Sequence, residues 1–133
     1  MTWVDSIMSR IRAGAEVGMR QALELAREES ERLQSVPVVR TRGRVIRSRP
    51  GQPPRRETGR LQASHRTQIE GEGDAVRGVL FNVARSERGA PYPAYLERGT
   101  SRMAARPTYG PVGRAVSPIA AELVSRAVAA ATR

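Results

Sequence analysis

Residues 59–84 read "GRLQASHRTQIEGEGDAVRGVLFNVA". The second half decides the fold class. Residues 75–84, "AVRGVLFNVA", are the best β signal in the chain, rich in Val, Leu and Phe and preceded by turn chemistry. Gly71-Glu72-Gly73-Asp74 supplies that turn. Residues 59–69 then read as the preceding strand, with Leu61, Ala63 and, at its end, Ile69 facing inward. A hairpin or meander over 60–84, set between helical patterns, predicts an α+β domain.

Upstream, residues 2–34 predict a long amphipathic helix. Val4, Ile7, Met8, Ile11, Ala15, Met19, Ala22, Leu23, Ala26 and Leu33 recur near helical spacing. Thr2 and Asp5 form a capping-box pattern, with Asp in place of Glu or Gln. Gly14 and Gly18 lie on the apolar stripe, where they are either tolerated or mark the close approach of another helix or subunit. Residues 28–32, "EESER", read as a solvated helix end, and Val36-Pro37 stops the helix.

Downstream, residues 86–91 read as loop. Pro93 suits the first turn of a short helix near 92–98, and Gly99 suits its C-terminal cap. Residues 101–109 read as extended, ending the sheet. Val112, Ala115, Val116, Ile119, Leu123, Ala127, Val128 and Ala131 mark a C-terminal helix over 110–133, expected to pack on the sheet. Pro118 either kinks this helix or restarts it with Ser117 as cap. The chain thus divides into a helix (1–36), a basic arm (37–57), a sheet region (58–109) and a helix (110–133) of one domain.

The chain has 133 residues and a net charge of +10, and all 23 of its basic residues are Arg. A GC-rich genome would push Lys to Arg everywhere, so position says more than type. Residues 38–66 hold nine Arg and one acid, Glu57, or +8 in 29 residues; the rest holds 14 Arg against 12 acids. Within this segment "VVRTRGRVI" (38–46) reads as a two-stranded arm turning at Arg42-Gly43, and residues 48–57 as a mobile, breaker-rich stretch. Arg40, Arg42, Arg44, Arg47, Arg49, Arg55 and Arg56 are the candidate partner- or DNA-facing residues. No aromatic lies between 38 and 66, which disfavours single-strand recognition. The plainer reading of the same segment is a solubilising linker.

Catalytic chemistry is not legible. There is no Cys, and the single His, His65, reads as a strand-surface residue. Glu70, Glu72 and Asp74 lack an EF-hand pattern, and Gly110-Pro111-Val112-Gly113-Arg114 is no phosphate loop. A non-enzyme with no metal and no cofactor is expected. No signal peptide or 18-residue apolar run is evident, so a soluble chain made in a cytoplasm, with no membrane partner, is expected.

Two stretches about 30 residues apart carry a family resemblance: "PGQPPRRETGRLQAS" (50–64) and "YPAYLERGTSRMAARP" (92–107). Thr58, Gly59, Leu61 and Ser64 match a Thr-Gly-x-Leu-x-x-Ser strand opening. Tyr92 or Tyr95, Glu97, Gly99 and Thr100 match a Tyr-Ala-x-x-x-Glu-x-Gly-Thr element, with Pro93 interrupting its Tyr-Ala pair, and Pro107 leads into the last helix. Together they resemble the neck, or tail-completion, family of long-tailed bacteriophages. That resemblance implies a structural virion protein, synthesised in the host cytoplasm and located in the neck. It implies a homo-oligomeric ring, hexamer first and dodecamer second, around the channel for double-stranded DNA. Neighbours would be head-closure or stopper, tail-terminator and tail-tube proteins. Under it Glu97 either caps structure or makes a charged ring contact. The arm faces DNA or, the favoured direction, docks on a neighbouring ring and orders on assembly. The alternative is a free, non-specific nucleic-acid-binding protein with an Arg-rich arm.

Overall fold

The first helix starts where the sequence places its cap. In the computed structural model, which describes residues 2–72 and 75–133, α1 spans Trp3–Leu33. Asp5 N–H donates to Thr2 Oγ1 at 3.1 Å, and Thr2 N–H donates back to Asp5 Oδ2 at 2.8 Å, closing the capping box. The remaining elements are β1 (Val39–Thr41), β2 (Arg44–Ile46), α2 (Arg60–Ala63), β3 (His65–Glu72), β4 (Ala75–Asn82), α3 (Tyr92–Arg98) and α4 (Tyr109–Ala131). The class is α+β: two long helices and two separate two-stranded antiparallel sheets, β1–β2 and β3–β4.

Gly14 and Gly18 mark a helix crossing. A Cβ built on Gly18 would lie 2.5 Å from Val124 Cα, and one on Gly14 would lie 2.8 Å from Val128 Cα. Two hydrogens therefore admit the backbone of α4, which runs antiparallel to α1. Ala22 and Leu23 on α1 and Val112 and Val116 on α4 are buried. With one Phe and one Trp in the chain, the body depends on this close approach of small residues.

The β3–β4 hairpin lies against α1. His65 pairs with Asn82 at one end and Glu72 with Ala75 at the other. Gly78 meets Met19, whose sulfur would be 2.6 Å from an added Cβ. The expected turn at residues 71–74 falls partly outside the described residues, as does Asp74 of the acidic group.

Several expectations are corrected. α4 packs along α1 rather than over the sheet, because the small residues that permit close contact are on the two helices. It meets the base of the hairpin where Tyr109 approaches His65. Residues 60–63 form a helical turn, not a strand. Gly59 (φ 82°) reverses the chain, Ala63 N–H bonds Gly59 C=O at 2.9 Å, and the strand begins at His65. Residues 101–109 join no sheet. Thr100 and Met103 close a local bridge, Arg106 N–H donates to Leu96 C=O, and Ala105 C=O accepts from Gly51. Their backbone groups are thus satisfied elsewhere. Residues 28–32 are not wholly solvated: Ser30 is buried, donating to Ala26 C=O, and Glu31 C=O accepts from Gln62 Nε2 at 3.0 Å. α4 runs through Pro118 as one element, and Ser117 Oγ donates back to Gly113 C=O instead of capping a restart.

The crossing makes a prediction with opposite signs at two glycines. Gly18→Ala should destabilise by about 1–3 kcal/mol, although Ala favours helix by about 1 kcal/mol, because its Cβ strikes backbone that cannot rotate away. Gly113→Ala on α4, where an added Cβ meets nothing within 4 Å, should stabilise by up to about 1 kcal/mol. Urea unfolding of both variants checks this, and equal signs would contradict the close crossing.

Candidate interaction site

The Arg-rich segment does form a two-stranded arm. Val39 pairs with Ile46 and Thr41 with Arg44, and the chain reverses at Arg42 (φ 51°) and Gly43 (φ 75°). Positive φ at both central residues is the turn geometry that suits the twist of a short hairpin. Gly43 adopts it freely, and Arg42 accepts an uncommon conformation that presents its side chain at the tip. Arg40, Arg42 and Arg44 are exposed there. Val39 and Ile46 share one face of the arm and are 46% and 49% exposed, an apolar pair flanked by cations.

The root of the arm is fixed, which corrects the reading of residues 48–57 as a mobile stretch. Val38 N–H donates to Arg56 C=O at 2.9 Å, and Arg56 N–H donates to Val36 C=O at 2.7 Å. Gly51 N–H reaches Ala105 C=O at 2.8 Å. Ser48 and Pro54 are buried. Breaker residues here shape a docked loop rather than a free one.

One acid serves this region. Glu57 lies 3.3 Å from Arg47 and 3.9 Å from Arg40. Among the described residues, Arg42, Arg44, Arg49, Arg55 and Arg56 make no ion pair. Their mutual repulsion is relieved by salt or by a polyanionic or acidic partner, over a range of about 8 Å at physiological ionic strength.

The two sequence motifs meet at the arm's root. Thr58, Gly59 and Leu61 line a cleft of about 320 Å³ together with Tyr92 and Leu96. Burial pushes the Tyr92 phenol above its ordinary value, opposed by Arg60. Leu61 thus faces this cleft from α2 instead of anchoring a strand. Thr58 Oγ1 accepts from Arg60 N–H at 3.3 Å, and Ser64 Oγ donates to Arg60 C=O at 2.5 Å, so both hold the single turn of α2. Tyr95 is exposed and lies outside the cleft lining, as do Thr100 and half-buried Pro107.

Glu97 is engaged inside the molecule. Its Oε1 accepts from Thr108 N–H at 2.8 Å and Tyr109 N–H at 2.7 Å, and its Oε2 from Gly110 N–H at 3.3 Å. A carboxylate thus caps the start of α4, satisfying donors that have no partner within the helix. Gly99 (φ 77°) turns the chain directly after α3, and a Cβ there would lie 2.9 Å from Ala105 N and Met103 O. Thr100 Oγ1 accepts from Arg102 N–H.

A buried polar network behind the cleft was not foreseen. His65, read as a surface residue, is buried. Its Nδ1 lies 3.0 Å from Gln62 C=O, an obligate acceptor, so Nδ1 carries the proton and Nε2 accepts from Tyr109 O–H at 2.9 Å. Burial raises the Tyr109 phenol above its ordinary value, while Asn82 and Gln34 pull it down. Gln34 Nε2 donates to buried Thr108 Oγ1 at 3.1 Å. Gln34 is the C-cap of α1 and Thr108 the N-cap of α4, so this one bond joins the ends of the two long helices. Helical periodicity cannot signal a capping residue of this kind.

Among the described residues, no group of three or more His, Cys, Asp and Glu side chains could hold a metal ion, and no helix is long and apolar enough to cross a membrane. No family model, curated protein or solved structure matches the chain.

Glu97→Ala should cost about 2–3 kcal/mol, and Glu97→Gln less, since an amide oxygen still accepts. Gly99→Val should cost on the order of 3 kcal/mol from backbone strain and overlap. Thermal unfolding of the three variants checks the ranking.

Proposed function

We propose that this chain is a structural subunit of the neck of long-tailed bacteriophages, forming a ring around the DNA channel between the head-closure proteins and the tail tube. The observation that carries this reading is the separation of charge onto an anchored arm. The near-neutral remainder of the chain presents one kind of surface, and residues 38–66, which hold the arm and a net +8, present another. A closed ring needs two unlike patches that meet head to tail. The motif residues support the same reading, because Thr58, Gly59, Glu97 and Gly99 set turns and caps instead of converging as a catalytic set.

In this reading the arm docks on an acidic face of a neighbouring ring. Its unpaired arginines steer that encounter and are neutralised by it. Duplex DNA in the lumen touches the same positive surface without sequence readout. The unpaired arginines also favour the alternative, a free nucleic-acid-binding protein, and the two readings separate experimentally.

The purified chain, viewed by electron microscopy and sized by light scattering, should form rings, six subunits being the first expectation and twelve the second. Replacing residues 40–45 with Asn-Gly keeps Val39 beside Ile46 and removes three arginines. That variant should retain the circular dichroism and melting temperature of the parent and lose the ring. A strictly monomeric parent that binds duplex DNA with steep salt dependence would instead support the nucleic-acid reading.

A further inference from the structure

We propose that the cleft at the arm's root is a receptor for a short acidic peptide segment of a protein partner, carrying a carboxylate beside an apolar side chain. The inference goes beyond ring formation, since a ring can close with this cleft empty.

Among the described residues, three buried side-chain polar atoms make no hydrogen bond: Gln34 Oε1, Ser48 Oγ and Arg106 Nε. All three residues line the same cleft. Gln34 is 3% exposed and Ser48 5%, so each is more than nine-tenths buried. A buried polar atom without a partner has lost its hydration with nothing in exchange. Three such atoms gathered in one concavity are a pattern that calls for a ligand.

Their chemistry specifies the ligand. Ser48 O–H and Arg106 Nε–H are donors, and Gln34 Oε1 is an acceptor. A carboxylate accepts both donors, and a peptide N–H donates to the amide oxygen. A phosphodiester offers acceptors alone and leaves Gln34 unmet. The walls add Leu61, Leu96 and Pro54, which suit an apolar side chain next to the acid. The rim adds Arg55 and Arg56, which make no ion pair among the described residues, while the cleft's one acid, Glu57, already faces Arg40 and Arg47. At about 320 Å³ the cleft admits a few side chains and excludes a nucleic-acid duplex.

The test uses the full chain and fluorescein-labelled peptides read by fluorescence anisotropy, which works for a monomer or a ring. The probe is Ala-Leu-Glu-Leu-Ala, amidated at its C-terminus so that Glu is the one acidic residue, with the Gln-for-Glu peptide carrying the same dye as control. The acidic probe should bind saturably and at least tenfold more tightly than the control. Ser48→Ala should weaken binding about fivefold or more without lowering the melting temperature, because that hydroxyl bonds nothing in the chain. Arg106→Gln should weaken it about tenfold. Absence of saturable binding, equal binding of the two peptides, or unchanged binding in Ser48→Ala would overturn the proposal. Displacement of the probe by equimolar inorganic phosphate would overturn it too, by revealing a simple anion site.

Discussion

The contact of α4 with the hydrogens of Gly14 and Gly18 is the constraint on which the rest of the molecule depends. It lets two helix backbones approach closely and gives a chain poor in aromatics a core of Ala, Val and Leu. It also sets where α4 begins. Glu97 must receive the free N–H groups of that first turn, and Gln34 must reach Thr108. α3, the turn at Gly99 and the end of α1 are thereby held around one point. The arm's root is hydrogen-bonded to the segments that join them.

This arrangement gives the arginines a mechanical meaning. A tethered polybasic tail would present charge diffusely and lose conformational entropy on every contact. Here the residues around the arm are already ordered by Val36, Ala105 and Arg56. The hairpin tip carries Arg40, Arg42 and Arg44 at defined positions, and the cleft beneath it keeps unmatched donors and an acceptor. In the proposed reading, long-range attraction by the arm and short-range recognition by the cleft at its root are adjacent, and separate from the helical seam that stabilises the body. Substitutions on the arm tip should therefore act on association and those on the seam on stability.

Much of this was legible from sequence where a local rule decides structure. Thr2 and Asp5 announced the capping box, Pro93 and Gly99 bounded α3, and the strand expected over 75–84 forms as β4, ending two residues earlier at Asn82. Arg42-Gly43 turned the arm despite a weaker turn preference than Asn-Gly. The errors arose where distant residues decide. Gly59 reads equally as the start of a strand or of a helical turn, and tertiary context selected the turn. Residues 101–109 have strand-like spacing, but Leu96 and Gly51 take their backbone groups. His65 and Gln34 are buried by partners 44 and 74 residues away in sequence, which no window along the chain reveals. The cleft is likewise a product of several separate segments, and its unmatched atoms appear when those segments are assembled.

The arm is rooted in the folded body by the hydrogen bonds of Val38, Gly51 and Arg56, so that its charge is presented rather than trailed. Amide hydrogen exchange on the isolated chain, resolved by residue, tests it most directly. The amides of Val38, Gly51 and Arg56 should exchange in the same slow class as those of α1 and α4 that flank Gly18 and Val124. Exchange of residues 36–57 at the rate of an unstructured peptide, beside protected helices, would contradict it.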